Sequence, residues 1–335
     1  MGSFFFAIFG WLSAALGHDA GHFAVSRTPW VNDACVWGMS LVANPMMWQH
    51  EHTYAHHTHT NEFARDPDLH HWDFVLRVHR NFQRKDLFKW QSNVVFVICV
   101  YSFAMLGTCV FMPWVMIQTG SLYGLAEWTD RKRPLRALGM WAHLALYLGI
   151  IVVYHFFAKL SVFKATASVL LHVFTSGFLF SVFTQVNHLN EASLEVDPAN
   201  RKSLAVHSWA ASQVVTSNNF AANNHMWDIL SIGLNFQIEH HLFPGLNHCH
   251  LRLIAPVVQQ TCKEYGVMYK SYGTFSEILA ANLKWLDTMS DEPDRPEEEG
   301  LSVRSRDVFE IFSLNTHRDR LRLVLFGCEK RRKVA

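Results

Sequence analysis

The sequence predicts an all-α integral membrane protein that carries a histidine-rich, metal-binding face. Half of its 335 residues are apolar and 17% are charged, against about 25% in an ordinary soluble domain. Several apolar segments approach the roughly 20 residues that a helix needs to cross the hydrocarbon core of a bilayer. Three histidine clusters lie far apart along the same chain, which indicates that distant parts of it converge on metal. The net charge of +1 gives no sign of nucleic-acid binding.

Four apolar segments are candidates for membrane helices: residues 3–17, 92–118, 138–157 and 163–186. The first lacks the basic residues that precede the apolar run of a signal peptide, so we interpret it as a helix of the folded protein. Pro113 interrupts the second, which favours a broken, re-entrant or interfacial helix. The last two are uninterrupted and predict a helical hairpin with a short connecting loop.

Basic residues indicate the orientation, because short cytosolic loops are enriched in Lys and Arg. The stretch before the 92–118 segment holds Arg77, Arg80, Arg84, Lys85 and Lys89. Four more precede the 138–157 segment, namely Arg131, Lys132, Arg133 and Arg136. We therefore expect the 92–118 segment to enter and leave on the cytosolic side, and the hairpin to return the chain there. All three clusters then lie at the cytosolic face.

The three clusters occupy residues 18–22, 52–57 and 237–241. His18 and His22 are four residues apart, as are His52 and His56, so each pair shares one helix face about a turn apart. Such a pair can chelate one ion. Imidazole suits iron, zinc, copper and nickel, so the ligand type alone leaves the identity of the metal open.

One further histidine is a candidate ligand by its position. His188 closes the 163–186 segment and emerges on the face of the clusters, so we expect it to reach them. The second cluster also has too many neighbouring histidines for all to bind metal. Those expected to lie outside the ligand set are His50, His59, His70 and His71.

Four carboxylates lie within or beside the clusters. Asp19 and Glu239 lie inside the first and third, and Asp66 and Asp68 follow the second. Carboxylates near metal-bound imidazoles commonly accept the remaining ring N–H, and we expect that role here. For Asp66 and Asp68 the alternative is a simple turn around Pro67.

Other catalytic motifs are absent from the sequence. The run HEHTY at residues 50–54 lacks the second histidine of the HExxH zinc motif. Glu-x-x-His occurs nowhere, which excludes the carboxylate-rich di-iron bundle. There is also no GxSxG motif and no phosphate-binding glycine loop.

The clusters resemble the histidine boxes of the membrane-bound fatty acid desaturases, and specifically of the front-end acyl desaturases. That family shows HDxGH, then HxxxHH or HxxHH, then QxxHH. This chain has HDAGH at 18–22, HTYAHH at 52–57 and QIEHH at 237–241. The run DPDL at 66–69 is similar to part of the family's extended second box. The resemblance covers roughly residues 5–285.

The resemblance implies a four-span helical bundle whose cytosolic cap holds a di-iron centre. The implied ligands are His18, His22, His52, His56, His57, His188, His240 and His241, with Gln237 bound directly or through water. The implied reaction is O2-dependent desaturation of a long (poly)unsaturated acyl chain, between an existing double bond and the carboxyl end. The substrate would be an acyl-lipid or an acyl-CoA, held in a tunnel that places two carbons beside the irons.

The chain departs from the family in two respects. It lacks the HPGG haem motif of the cytochrome b5 domain that many front-end enzymes carry, and only one apolar segment precedes its first box, where the family has two. Either the chain is truncated and the first span is missing, or electrons come from a separate cytochrome b5 or ferredoxin. The implied location is the endoplasmic reticulum with a cytosolic site, or alternatively a plastid membrane.

We expect residues 1–286 to form the desaturase domain and residues 287–335 to form a charged linker and disordered tail. Two alternatives share the scaffold: a sphingolipid long-chain-base desaturase and a fatty acyl hydroxylase. Two others are not enzymes: an inactive fragment, and a histidine-rich membrane protein that binds or transports zinc or copper. A transporter would place its ligands near the bilayer midplane, whereas these clusters fall at the ends of the apolar segments.

Overall fold

The protein is mostly helical, as the sequence predicts. The computed structural model describes residues 1–127, 133–193 and 204–294. Within these ranges, helices are joined by turns and by two sheets of two short strands each. Of the basic residues predicted to flank the hairpin, Arg131 and Lys132 lie outside the described residues, as do residues 295–335 of the predicted tail.

The first two histidine clusters lie on helical segments near the N-terminus. Helix α1 (Gly2–Gly21) carries His18 in its last turn and is capped by His22. The next elements are α2 (Pro29–Cys35), a 3-10 turn (Val36–Leu41), α3 (Pro45–Trp48), a π-helical turn (Gln49–His56), α4 (His57–His59) and α5 (Pro67–His70). A π-helix hydrogen-bonds residues five apart, so the wide turn at Gln49–His56 brings His52 and His57 onto one face.

The predicted break at Pro113 is wrong, because the chain continues through it as a helix. After a 3-10 turn (Asp86–Ser92), the segments α6 (Val94–Leu106), a π-helical turn (Gly107–Phe111) and α7 (Met112–Thr119) follow without interruption. Proline lacks a backbone N–H, and the wide turn just before Pro113 absorbs that loss without ending the helix.

Two long helices form the predicted hairpin. The antiparallel pair β1 (Ser121–Leu122) and β2 (Ala126–Glu127) is followed by α8 (Arg133–Leu148), a π-helical turn (Gly149–Val153), α9 (Tyr154–Phe157) and α10 (Val162–Gln185). Near the start of α8, Arg136 Nη1 is 2.9 Å from His50 Nδ1. At the end of α10, Gln185 Oε1 accepts a hydrogen bond from Trp72 Nε1 (3.0 Å). Both ends of the hairpin therefore contact residues from the chain segments on either side of the second cluster.

The C-terminal third forms a cap of short helices that carries the third cluster. Its elements are α11 (Leu204–His207), α12 (Trp209–Val215), β3 (Asn219–Phe220), α13 (His225–Leu230), a 3-10 turn (Leu234–Phe236), α14 (Gln237–Leu242), a 3-10 turn (His248–His250), α15 (Leu251–Glu264), β4 (Ser271–Tyr272) and α16 (Phe275–Asp291). Strands β3 and β4 pair in parallel. Helix α16 extends five residues past the predicted domain boundary at residue 286, and the buried Arg77 guanidinium donates to the carbonyls of Met289 and Glu292 at its end.

By length and composition, three of the described helices could cross a membrane: Val94–Thr119, Pro134–Ile151 and Val162–Gln185. Helix α1 is not among them. Helix α10 packs against both α1 and α6, and Gly177 permits this close contact, because a Cβ there would collide with the carbonyl of Ser102 on α6. Large apolar side chains such as Val95, Leu135 and Phe163 are exposed on the outer faces, as expected for lipid-facing surfaces.

Candidate metal centre

Seven of the predicted ligand histidines meet in two groups. Group 1 consists of His18, His22, His52 and His240, and group 2 consists of His56, His188 and His241. In each group, one ring nitrogen from every member lies within 4.8 Å of the others. The four chain segments that carry them are the end of α1, the π-helical turn, the end of α10 and α14. Convergence of such distant segments gives the arrangement that metal binding requires.

His57 and Gln237 lie against the two groups. His57 Nε2 is 3.2 Å from His52 Nε2 in group 1, while its ring stacks on His241 in group 2 with centroids 4.2 Å apart. The amide nitrogen of Gln237 lies 2.9 Å from His188 Nε2 and 3.2 Å from His241 Nε2. Its Oε1 is buried and has no hydrogen-bond partner. Every residue of the predicted ligand set is thus placed at this centre.

His56 is oriented by a carboxylate. Its Nδ1 lies 3.1 Å from both oxygens of the fully buried Asp66, and Asp68 is slightly farther away at 3.4 Å. Burial alone would lower the pKa of His56, but the carboxylates of Asp68 and Asp66 outweigh it and raise the pKa to about 9. Asp66 also accepts a hydrogen bond from the backbone N–H of Asp68 at the start of α5. The carboxylate therefore both contacts the imidazole, as expected, and stabilises the turn around Pro67 that was the alternative.

The other two rings of group 2 are oriented by neutral oxygens. His188 Nδ1 donates to the carbonyl oxygen of Thr216 (3.1 Å), and His241 Nδ1 donates to Gln213 Oε1 (2.9 Å). With both protons on Nδ1, each Nε2 carries a lone pair. These two Nε2 atoms are 3.2 Å apart and both lie beside the amide nitrogen of Gln237, so their lone pairs converge on one position. The donor set of group 2 therefore fits a metal ion.

Group 1 contains buried ring nitrogens without partners. Both nitrogens of His18 and the Nε2 atoms of His22 and His240 make no hydrogen bond within the described part of the chain. Burial, reinforced by the neighbouring imidazoles, lowers the pKa of His22, His52 and His240 well below the usual value. These rings are therefore neutral, which is the form that binds metal. The donor set of group 1 fits a second ion.

Two of the four predicted carboxylates have partners other than those expected. Glu239 accepts hydrogen bonds from Asn219 Nδ2 (2.7 Å) and the Tyr269 hydroxyl (2.8 Å), not from a ring of either group. Its expected role is corrected: it joins α14 to the strand pair beneath it. Asp19 accepts from His248 Nδ1 (2.7 Å) and lies 3.7 Å from His18 Nδ1, which is too long for a hydrogen bond.

The histidines expected outside the ligand set have other contacts. His59 faces Glu62 (3.4 Å), His70 donates to the carbonyl of Phe63 (2.7 Å), and His50 contacts Arg136. His71 bonds the buried Glu51 (3.2 Å) and the Tyr123 hydroxyl (3.1 Å).

Sequence reasoning missed the buried Glu51. Burial, followed by repulsion from Asp68, raises the pKa of its carboxyl well above the usual value. With Asp68 and His71, Glu51 forms a further group of side chains that could hold metal. The signal available in the sequence was a carboxylate placed between His50 and His52.

An apolar cavity of about 460 Å³ reaches the histidine groups. Its wall includes His52, His56 and Gln237 together with apolar side chains of α6. Phe103 and Leu106 of α6 line the cavity and are also 43% and 42% exposed. The cavity therefore runs from the candidate metal centre to α6, where two of its lining residues are partly exposed.

Comparison with known proteins gives consistent matches. The family model described as fatty acid desaturase matches residues 1–273. The chain is 27% identical to an sn-1 linoleoyl-lipid 6-desaturase of Synechocystis over 281 residues, which is 82% of this chain and 75% of that protein. It is 32% identical to an acyl-lipid (8-3)-desaturase of Physcomitrium patens, over 85% of this chain and 60% of that protein. The comparison with solved structures found no match.

Proposed function

The chain belongs to the fatty acid desaturase family, and on that premise we propose that it is a front-end acyl desaturase. In the reaction, two hydrogens leave adjacent methylene carbons, and a double bond forms between an existing one and the carboxyl end. Together with two external electrons and two protons, these hydrogens reduce one O2 to two molecules of water. The enzyme is an oxidoreductase that depends on an electron donor.

The observation that carries the proposal is the pair of histidine groups, and above all the Nε2 atoms of His188 and His241 that face one another at 3.2 Å. We propose that group 1 with His57 holds one iron ion and group 2 with Gln237 holds the other. When bound, two iron ions would supply the activation of O2 that removal of hydrogen from an unactivated carbon requires. Gln237 would contribute its unpartnered Oε1, directly or through water.

The protein's own residues would orient the ligands. Asp66 holds Nδ1 of His56, and Gln213 holds Nδ1 of His241, so each ring presents Nε2 to the centre. Such outer contacts fix the tautomer and raise the basicity of the ligating nitrogen.

The apolar cavity would position the substrate. Its wall joins the ligand histidines to α6, so an acyl chain lying in it would hold two methylene carbons beside the centre and exclude water. Because Phe103 and Leu106 reach the outer surface, we propose that the chain enters from the bilayer along α6. The relatives are named as acyl-lipid enzymes, and we propose an acyl-lipid as substrate in preference to an acyl-CoA.

The electron donor and membrane follow from the family rather than from the site. We propose a separate cytochrome b5 or a ferredoxin as donor. We also propose an endoplasmic reticulum location with the histidine groups facing the cytosol, with a plastid membrane as the alternative.

The test is expression in yeast with a co-expressed cytochrome b5 and fed polyunsaturated fatty acids, followed by mapping of double bonds in the products. We expect a new double bond on the carboxyl side of an existing one. His240→Ala should abolish it, whereas His250→Ala, which changes an exposed histidine outside both groups, should not. A new double bond in a long-chain base, or a hydroxylated acyl chain, would assign one of the alternative reactions. An inserted, iron-containing protein that gives no acyl product would refute the front-end proposal.

A further inference from the structure

The two metal positions differ in how their ligands are supported. Resting on the proposed function, we propose that group 2 binds its ion more tightly than group 1 and is loaded first. We also propose that Gln213 is a positioning residue for group 2, acting through His241.

All three rings of group 2 have an oxygen acceptor at Nδ1. Asp66 serves His56, the Thr216 carbonyl serves His188, and Gln213 serves His241. Each ring is therefore held in one orientation, with Nε2 directed at the centre, before an ion arrives. Loss of one such outer contact typically weakens metal binding by about 10- to 100-fold.

The rings of group 1 lack this support. Among the described residues, both ring nitrogens of His18 and the Nε2 atoms of His22 and His240 are buried without a hydrogen-bond partner, and His52 Nε2 lies against His57 Nε2. The nearest carboxylate, Asp19, is 3.7 Å from His18 Nδ1 and is already bonded to His248. An ion bound here must fix tautomer and ring orientation itself, which reduces its net affinity.

Gln213 connects two histidine clusters. It lies on α12 and is buried, with 2% of its surface exposed. Its Oε1 accepts from His241 in the third cluster and from the Thr60 hydroxyl (3.0 Å), just after the second. The same hydroxyl also lies 2.9 Å from the carbonyl oxygen of His56, which can accept its single hydrogen in place of Gln213 Oε1. Gln213 thus fixes one ligand ring relative to the segment that carries another.

The test uses the full chain in detergent, stripped with a chelator and titrated anaerobically with Co(II), whose visible absorption reports ligand binding. We expect two classes of site that differ in affinity by 10-fold or more. His188→Ala should remove the tighter class, and His18→Ala the weaker one. Gln213→Leu should lower the cobalt affinity of the tighter class by about 10- to 100-fold and alter its spectrum. Gln213→Glu keeps an oxygen acceptor and should retain the tighter class.

Three results would overturn the inference: two sites of equal affinity, loss of the tighter class in His18→Ala, or wild-type titration of a folded Gln213→Leu variant. If Gln213→Leu does not fold, Gln213→Met tests the same loss of acceptor, and the two histidine variants decide the order of loading by themselves. Equal cobalt sites in a protein that still desaturates would overturn this inference alone. A folded protein that binds no cobalt would overturn the proposed function as well.

Discussion

The contact between Asp66 and His56 makes a demanding test of the candidate metal centre. The Asp66 carboxylate is fully buried and accepts from His56 Nδ1 and from the backbone N–H groups of Asn61 (2.7 Å) and Asp68 (3.0 Å). In Asp66→Asn, an NH2 group replaces one oxygen and must face an N–H donor. One of the three partners therefore loses its acceptor, and one of the two negative charges beside His56 is removed, leaving that of Asp68 at 3.4 Å.

The size of the effect follows from these contacts. A hydrogen bond to a charged group contributes about 1.5–3 kcal/mol, so the free energy of unfolding of the metal-free protein should fall by about that amount. Loss of the contact that orients His56 should also weaken metal binding by about 10- to 100-fold. A tenfold loss of affinity corresponds to about 1.36 kcal/mol. The weaker metal binding should therefore lower the free energy of unfolding of the metal-bound protein by a further roughly 1.4–2.7 kcal/mol. The variant should be destabilised more with metal than without it.

The assay compares thermal unfolding with and without metal, metal affinity by chelator competition, and desaturation product in cells. Asp73→Asn is the matched control, because Asp73 is partly exposed, pairs with Lys85 (2.9 Å) and lies outside both histidine groups. We expect the control to match the wild type in metal affinity and product. If Asp66→Asn also keeps wild-type affinity and full product, the assignment of Asp66 as the residue that orients His56 is refuted.

Three further predictions test other parts of the fold. Gln237→His should lower the amount of product formed per bound iron, because an imidazole ring must fit into the space that the smaller amide occupies. This holds even though histidine is the stronger ligand. Unchanged turnover would place this side chain outside the coordination sphere. Tyr269→Phe removes a donor to the buried Glu239 carboxylate and should lower the free energy of unfolding by about 1–3 kcal/mol, measured as a lower Tm; an unchanged Tm would contradict the contact. Gly177→Val should reduce the amount of folded protein in the membrane fraction, because its Cβ meets the α6 backbone, whereas Gly149→Val, with open space around it, should accumulate normally.

The parts of the fold that depend on hydrophobic patterning could be predicted from the sequence. A bilayer requires long apolar helices, so the hairpin of α8 to α10 followed from composition. The family was also predictable, because the histidine boxes at residues 18–22, 52–57 and 237–241 are specific, and the match to the fatty acid desaturase model confirms it. The position of His188 followed from the direction in which α10 returns the chain.

The features that were missed depend on local backbone geometry and on long-range contacts. Pro113 predicts a break when taken alone, and only the structure shows the π-helical turn that absorbs it. Glu239 lies between ligand positions, yet the direction of α14 turns it towards Asn219 and Tyr269. Gln213 carries no sequence signal, because an amide on a short helix becomes informative only once its neighbour His241 is known.

The ligand segments are spread along most of the chain, and this has a consequence for how the protein is made. Group 1 draws on residues from His18 to His240, and group 2 from His56 to His241. Neither group is complete until the ribosome has passed residue 241, when the three described helices that could cross a membrane have already been synthesised. If the two groups hold iron as proposed, iron insertion would be a late event in biogenesis, and cells short of iron should accumulate a full-length protein that has never been active.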